Sequence, residues 1–189
     1  MSDEAPVRST KGRLLVSVPD MGDDNFDRTV VFMLEHDGSG ALGVVLNRPS
    51  GTRVEEHLPF LADSVATPAV FFVGGPVSVG RLLALGRVGA QMPVDHVTPV
   101  DGPVVAVDPA ALVEQQVEGI DLLRLYTGYS GWAAGQLEAE LAAGAWHVVE
   151  ALPDDVLCSD PDGLWRSVMR RQGGRLVSQA LYPDDVRVN

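Results

Sequence analysis

The stretch that decides the fold is Leu122–Trp146, with the sequence LLRLYTGYSGWAAGQLEAELAAGAW. It opens with an apolar run of strand length and continues through Gly128-Tyr129-Ser130-Gly131, which predicts a turn. From Trp132 onward Ala, Leu and Glu dominate, so we expect a helix that ends at Gly144. A strand that passes through a glycine-rich turn into a helix is a common place for a site, because the first helical N–H groups have no backbone partner.

The strongest hairpin signal lies upstream of this stretch. Two apolar, β-branched runs, Thr29–His36 and Ala41–Asn47, flank Asp37-Gly38-Ser39-Gly40 and predict two strands joined by a four-residue turn. We expect Asn47-Arg48-Pro49 to end the second strand, because proline cannot continue a central ladder.

The remaining segments read as short strands and a few helices. Further strands are predicted at 13–18, 69–73, 81–85, 103–107 and 145–151, with an additional edge strand at 175–179. Helices are predicted from the capping box Thr52-x-x-Glu55 to Leu61, from Asp108-Pro109 to Gly119 and from Asp160-Pro161 to Gly173, and residues 86–102 are predicted to be mostly loop. Most adjoining strands are too closely spaced for a parallel crossover, so the pattern favours an α+β fold with a mainly antiparallel, bent sheet.

Length and composition indicate one domain in a reducing compartment. The chain has 189 residues, 46% of them hydrophobic and 21% charged, which suits a single globular domain over 12–180, between a disordered tail at 1–11 and a C-terminal tail at 181–189. No apolar run approaches the length of a membrane span, and the first residues lack the apolar core of a secretory signal. Cys158 is the only cysteine, so we expect a cytoplasmic protein without membrane contact.

The charge disfavours direct nucleic-acid binding. The net charge is −12, with 14 Lys and Arg against 26 Asp and Glu, whereas binding to phosphate backbones depends on basic side chains. Arg166, Arg170 and Arg171 would line one helix, which we interpret as a solvated face.

Ser130 stands in a segment that resembles a nucleophile elbow, G-x-S-x-G, between a strand and a helix. Residue 132 is Trp where the elbow needs Gly, and His147 lies mid-strand without an acid placed to orient it. We therefore interpret Ser130 as a helix cap and nominate no catalytic residue.

The glycines beside Ser130 leave two interpretations open. Gly131 and Gly135, one helical turn apart, predict either close packing on the sheet or an anion site at the free N–H groups of Tyr129–Trp132. In the second case Gln136 and Glu138 would be polar groups at the rim.

No metal or cofactor motif is present in the sequence. The loop Asp20–Asp27 is rich in carboxylates, but its spacing does not match a calcium loop, and turn chemistry explains its composition. The four histidines are scattered, with no zinc-ligand spacing. We expect no metal and no cofactor.

Several of these segments together carry a family resemblance. They are the signature DMGDDNFDRTVV with Met21, Asp24, Phe26 and Thr29-Val30-Val31, the pair Glu35-His36, Gly43–Pro49, Gly74–Val77 and Gly128–Trp132 with Gly135–Glu138. In this order they resemble the YqgE/AlgH family of uncharacterised bacterial proteins, over roughly residues 12–173.

The resemblance implies a compact α+β domain whose sheet folds towards a pseudo-barrel. Position 130 is commonly Ala in that family, which further weakens Ser130 as a nucleophile. The resemblance implies little about activity. One branch carries the label of a transcriptional regulator of alginate production, and the acidic charge of this chain argues against transferring direct DNA binding.

The leading hypothesis is a non-catalytic cytoplasmic module that binds a small ligand or a protein partner through its polar and glycine-rich loops, in a regulatory role. The candidate surface comprises Asp20, Asp24, Phe26, Asn47, Arg48, Pro49, Gly74, Gly75, Pro76, Gly128, Tyr129, Gly131, Trp132, Gln136 and Glu138. The alternative is a metal-assisted hydrolase or transferase that uses loop carboxylates.

Overall fold

The computed structural model describes residues 9–19, 26–89 and 95–181. In these ranges the strands are β1 (Arg13–Ser17), β2 (Val30–Asp37), β3 (Gly40–Val45), β4 (Pro49–Arg53), β5 (Val70–Val73), β6 (Val77–Val88), β7 (Val97–Asp101), β8 (Val104–Val107), β9 (Ile120–Ala133) and β10 (Trp146–Glu150). The helices are α1 (Pro109–Val113), α2 (Gln136–Ala142), α3 (Pro153–Val156), α4 (Pro161–Arg171) and α5 (Gly174–Ala180), with 3₁₀ turns at Val54–Glu56 and Pro59–Leu61.

The strands form one curled sheet in the order β10-β1-β2-β3-β9-β6-β8-β7, with β5 between β4 and β9. Neighbours pair antiparallel except β5 and β9, which run parallel at Phe72 and Tyr126. The sheet curls into a half-barrel, and its far edge returns towards β1: a Cβ at Gly12 would lie 2.9 Å from Cβ of Asp101 on β7. The predicted α+β class with a mainly antiparallel, strongly bent sheet is confirmed.

The predicted hairpin is confirmed as β2 and β3. Asp37 pairs with Gly40, so the loop is the two residues Gly38 and Ser39 rather than four. Ser39 donates its backbone N–H to Oδ1 of Asp37 at 2.8 Å, a local turn bond of the kind that favours Asp at this position.

The central stretch differs from its prediction. Strand β9 continues through Gly128 and Gly131 for 14 residues, and no helix begins at Trp132. The cause is tertiary: β3 pairs along Gly40–Gly43 with one end of β9, and β6 pairs along Val77–Val88, so the ladder extends over the glycines. Helix α2 starts at Gln136, and Gly135, predicted inside a helix, is its N-cap at φ +76°.

Other helices and strands also differ from their predicted boundaries, because pairing with neighbouring strands outweighed the local sequence preferences. The predicted capping box at Thr52 fails, since Thr52 lies in β4 and the following 3₁₀ turn has no side-chain cap. The predicted loop 86–102 contains the end of β6 and all of β7 among its described residues. The predicted helix at 108–119 ends at Val113, and the predicted edge strand 175–179 is helical, within α5.

The concave face of the half-barrel is filled at one end by α4. Asp160 caps this helix through the N–H of Gly163, and the predicted apolar face, Leu164, Trp165, Val168 and Met169, is buried. Burying each such side chain contributes about 1.5–3 kcal/mol. Trp165 also donates its indole N–H to the carbonyl of Ser17 at 3.0 Å.

A buried cation, Arg124, links separate segments of the chain in the region filled by α4. Arg124 is fully buried and donates to the carbonyls of Thr67 (2.7 Å) and Cys158 (2.9 Å), with its guanidinium 4.2 Å from the ring centre of Phe72. Burial lowers the pKa of Arg124. We call the region around Phe72, Tyr126 and Trp165 the closed end of the concave face.

Candidate ligand-binding cleft

The two predicted glycine segments meet in the structure, backbone against backbone. The carbonyl of Gly74 accepts from the N–H of Val45 at 2.9 Å and from Oγ of Ser130 at 3.2 Å. A Cβ at Gly75, where φ is +150°, would lie 2.3 Å from the carbonyl carbon of Tyr129. Glycine is therefore required here for close packing of β9 against the β5–β6 connection.

This junction overturns the interpretation of Ser130 as a helix cap. Ser130 is fully buried within β9 and its hydroxyl donates to Gly74, so it is not at a helix start. The predicted anion site at free helical N–H groups of residues 129–132 loses its basis as well, because no helix begins there.

Gly128 changes the direction of β9. Its φ is +70°, and the pairing with β6 shifts between Val77–Tyr129 and Leu82–Thr127. In a regular strand, residues three apart point to opposite faces. Here Tyr126 and Tyr129 both pack against the same concave core.

Three of the predicted surface residues lie around one loop beside the junction. Asn47 accepts from the N–H of Val30 at 3.0 Å and donates to the carbonyl of Arg28 at 2.9 Å. Arg48 donates to the carbonyl of Asp27 at 3.2 Å and to Oγ1 of Thr29 at 3.1 Å. Pro49 begins β4. Asn47 and Arg48 thereby anchor the start of β2.

Arg48 also borders a shallow cavity of about 360 Å³ with Gly75, Pro76, Val73 and Val79. Val79 is 67% exposed and Val73 41% exposed. The cavity is thus an apolar depression with one cation at its edge.

The remaining predicted residues join α2 to the sheet. Trp132 and Trp146 both donate their indole N–H to Oε2 of Glu140 at 2.8 Å, and Phe26 packs on both rings. Gln136 accepts from the N–H of Ala133 at 3.1 Å. Asp20 and Asp24 lie outside the described residues.

Glu138 belongs to a second link between α2 and the sheet. The backbone N–H of Thr10 donates to Nδ1 of the buried His36, so Nε2 carries the proton and donates to Glu138 at 3.0 Å. The backbone of Glu138 and then this histidine hold the pKa of the Glu138 carboxyl below its ordinary value. Thr10, assigned by sequence to the N-terminal tail, is itself buried in this contact.

A cleft opens on the concave face at the end opposite α4. It consists of two adjoining cavities of about 390 Å³ and 280 Å³, which share Glu35, Leu42 and Tyr129. The first lies beside the β2–β3 turn with Asp37, Ser39, Gly131 and Trp132, and the second lies between β2, β6 and β7 with Lys11, Leu34, Arg81, Leu83, Thr98 and Ala106. We call these two adjoining cavities together the open end.

The open end carries polar and ionic side chains that have no partner in the part of the chain that the structure describes. The side chains of Lys11, Glu35, Arg81 and Tyr129 make no hydrogen bond or ion pair with any other part of the described chain. Two cations and an acid therefore face the cleft, above an apolar floor that includes Leu42 and Leu83. Small-ligand sites have this composition, with an apolar lining and a few polar groups.

Sequence reasoning found Tyr129, Gly131 and Trp132 but missed Lys11, Glu35 and Arg81 as lining residues. In the sequence, Glu35 stands out only through the motif pair Glu35-His36, and Lys11 falls within the predicted N-terminal tail. A usable signal was present, since Glu35 and Arg81 are charged residues inside or beside apolar strand runs.

The described residues offer no metal centre, because no three His, Cys, Asp or Glu side chains among them are grouped to hold an ion. The hydrolase alternative relies on the loop of Asp20 and Asp24, outside the described ranges, and stays a prediction. Among the described helices, none has the length and apolarity to cross a bilayer.

Fold and cleft together define a half-barrel α+β domain with an open concave cleft, a class that comparison with known proteins narrows further. The family model described as AlgH-like matches residues 14–177, and the chain belongs to this family. It is 45% identical to a UPF0301 protein of Streptomyces avermitilis, over 100% of both chains, and 42% identical to a UPF0301 protein of Mycobacterium tuberculosis, over 98% of this chain and 93% of the other.

Solved structures agree with this assignment. A crystal structure of a protein from Corynebacterium diphtheriae superposes with a TM-score of 0.85 at 29% identity, covering 95% of each chain. The solution structure of the AlgH protein from Pseudomonas aeruginosa gives a TM-score of 0.69 at 29% identity, covering 98% of this chain and 100% of the other. The resemblance inferred from the sequence motifs is confirmed.

Proposed function

We propose that this protein is a non-catalytic cytoplasmic binding module that takes a small ligand in the open end. The observation that carries the proposal is the contrast between the polar groups of the cleft and those of the rest of the concave face. Arg124 and Trp165 at the closed end donate to protein carbonyls, whereas the side chains of Lys11, Glu35 and Arg81 face the cleft without a partner among the described residues. Polar groups that converge on a cavity without internal partners are available to a ligand.

The charge and the geometry favour binding over the other functions considered. The net charge of −12 disfavours direct nucleic-acid binding. Ser130, which the sequence placed in an elbow-like context, is buried and bonded to a carbonyl, so it is not available as a nucleophile. A regulatory role would follow if ligand occupancy changed the affinity for a protein partner.

The proposal is tested by a thermal-shift screen of the full chain against amino acids, short peptides, nucleotides, small carboxylic acids, inorganic phosphate and divalent metal salts. A ligand at a hundredfold over its Kd stabilises by about 2.7 kcal/mol. In a domain of this size that raises Tm by about 5–10 °C.

A cleft-blocking variant locates the binding. Thr98→Trp places an indole in the cleft from an exposed position on β7, and Thr52→Trp adds the same group to an exposed position on β4 that lines neither cavity of the open end. We expect Thr98→Trp to abolish the ligand-induced shift and Thr52→Trp to retain it. Equal shifts in both variants, or no shift with any probe, would refute the proposal.

A second candidate is protein docking on the shallow cavity beside Arg48, which the exposure of Val73 and Val79 favours. It predicts that Val79→Asp reduces capture of a specific partner, while Val113→Asp, at another exposed apolar position, does not. Identical capture by both variants would remove this candidate.

A further inference from the structure

The open end is lined by charges of both signs that come from different segments of the chain. Lys11 precedes β1 and is held beside β2 by the bond from the N–H of Gly12 to the carbonyl of Met33 at 2.8 Å, and Arg81 comes from β6. The acids Glu35 and Asp37 come from β2, and Asp37 borders only the cavity at the hairpin turn. The cavity between β2, β6 and β7 therefore holds both cations, and the cavity at the hairpin turn holds Asp37. Glu35 lines both cavities.

The basic and the acidic side chains of the open end are both available to bind a ligand. The side chains of Lys11, Arg81 and Glu35 are exposed and have no partner in the described ranges, so binding would break no internal ion pair. Hydrogen bonds from Ser39 hold the pKa of Asp37 below its ordinary value, which keeps that carboxylate charged. Leu42 and Leu83 supply apolar surface along the cleft.

Ligands of a single charge fit this layout poorly. An anion bound by Lys11 and Arg81 would share a cavity with the carboxylate of Glu35, and a cation bound at Glu35 would share it with the two basic side chains. A neutral apolar ligand would desolvate all three without replacing their water contacts, which costs free energy. A ligand with one charge of each sign satisfies both sets.

We propose, building on the ligand-binding function above, that the open end takes a small zwitterion with an apolar body, the chemistry of a free apolar amino acid or a short apolar peptide with free ends. The carboxylate lies at Lys11 and Arg81, where a guanidinium can bind it through two hydrogen bonds. The ammonium lies at Glu35 with Asp37 beyond it, and the apolar side groups pack on Leu42 and Leu83.

The first experiment compares matched probes by isothermal titration calorimetry on the full chain. The probes are leucine, leucyl-leucine, N-acetyl-leucyl-leucine, which lacks the ammonium, and leucyl-leucinamide, which lacks the carboxylate. A desolvated charge-assisted pair contributes about 1.5–3 kcal/mol, so we expect blocking either end to weaken binding by about tenfold or more. Leucine against leucyl-leucine decides whether the cleft takes the amino acid or the peptide.

Charge-removing variants assign each end of the ligand. Arg81→Met should weaken binding of the free-ended probe about tenfold but leave binding of leucyl-leucinamide unchanged. Glu35→Gln should also weaken binding of the free-ended probe about tenfold but leave binding of the N-acetyl probe unchanged. The matched controls Arg170→Met and Glu114→Gln, at exposed positions outside the cleft, should change neither affinity.

Lys11 gives an independent readout because it is the only lysine. After reductive methylation with ¹³C-formaldehyde its dimethylamine signal should shift in NMR spectra on titration with the free-ended and N-acetyl probes. It should not move with leucyl-leucinamide.

The outcomes separate this inference from the function on which it rests. If blocked or singly charged compounds bind as tightly as the free-ended probes, or if binding of the free-ended probes is insensitive to Arg81→Met and Glu35→Gln, the zwitterion inference is wrong. If other compounds bind and are excluded by Thr98→Trp while zwitterions do not bind, the inference fails and the binding function stands. If no probe of any class binds, both fail.

Discussion

Two tyrosines three residues apart on β9 mark the difference between the closed and open ends. Tyr126 is fully buried against Phe72, and its hydroxyl donates to the carbonyl of Val156 at 3.5 Å. Tyr129 is half-buried at the cleft, and its hydroxyl has no partner in the described chain. One strand thus supplies both ends of the same concave face, and we expect the closed end, where Tyr126 is buried and hydrogen-bonded, to contribute more to stability than the open end.

The largest expected effect tests the closed end directly. Trp165→Ala removes a buried indole and its bond to Ser17, which should lower the free energy of unfolding by about 3–5 kcal/mol. Thr98→Ala, at the open end, should change it by less than about 0.5 kcal/mol. Urea unfolding followed by fluorescence measures both, and similar losses would erase the distinction between the two ends.

Substitution at the contact between Gly75 and β9 should lower the free energy of unfolding by nearly as much. Gly75→Ala places a methyl group against the backbone of Tyr129 at a positive φ, so we expect a loss of about 2 kcal/mol or more. A Cβ at Gly131 would lie 3.3 Å from the Tyr129 ring and 3.7 Å from Cγ2 of Val77, so Gly131→Ala meets side chains rather than backbone and should stay within about 1 kcal/mol of the parent. Denaturant midpoints of the two variants give the comparison, and a well-tolerated Gly75→Ala would contradict the close packing.

Alkaline pH should act through the closed end. Burial raises the pKa of Tyr126, against a smaller opposing effect of Arg124. A phenol whose pKa is higher in the folded state contributes stability that is complete below its unfolded pKa of about 10 and is lost as the pH rises beyond it. The free energy of unfolding should therefore fall above pH about 10, and Tyr126→Phe should reduce that fall. An identical alkaline slope in the variant would exclude Tyr126 as its source.

The smallest predicted difference is between the two hydroxyl groups at neutral pH. Tyr126→Phe leaves the carbonyl of Val156 without its donor and should cost about 0.5–1 kcal/mol. Tyr129→Phe removes a hydroxyl that has no partner among the described residues and should change the unfolding free energy by less than about 0.5 kcal/mol. A larger loss of unfolding free energy in Tyr129→Phe would mean that the Tyr129 hydroxyl also stabilises the fold.

Much of the fold could be predicted because its signals are local. The β2–β3 hairpin follows from two β-branched runs around Asp37-Gly38-Ser39-Gly40, and α4 follows from Asp160-Pro161 with an apolar face at helical spacing. The family was also accessible, since its motifs are short segments whose order along the chain can be compared directly.

The candidate site was predicted only in part, because its residues come from separate strands. Tyr129, Gly131 and Trp132 were proposed from one glycine-rich segment, and they do border the open end. Lys11, Glu35 and Arg81 are distant in sequence and become neighbours only when β1, β2 and β6 curl around one concave face. The hydrophobic periodicity of a single segment does not predict how the sheet curls.

The sequence by itself determined the α+β class, the hairpin, the capped helix α4 and the family. Tertiary structure alone decided that Gly128–Trp132 is strand, since β3 and β6 supply hydrogen-bond partners that outweigh the local preference for a turn and a helix. It also decided that Tyr126 and Tyr129 share a face, because Gly128 adopts a left-handed backbone where β6 and the β5–β6 connection pack against it and leave no room for a Cβ.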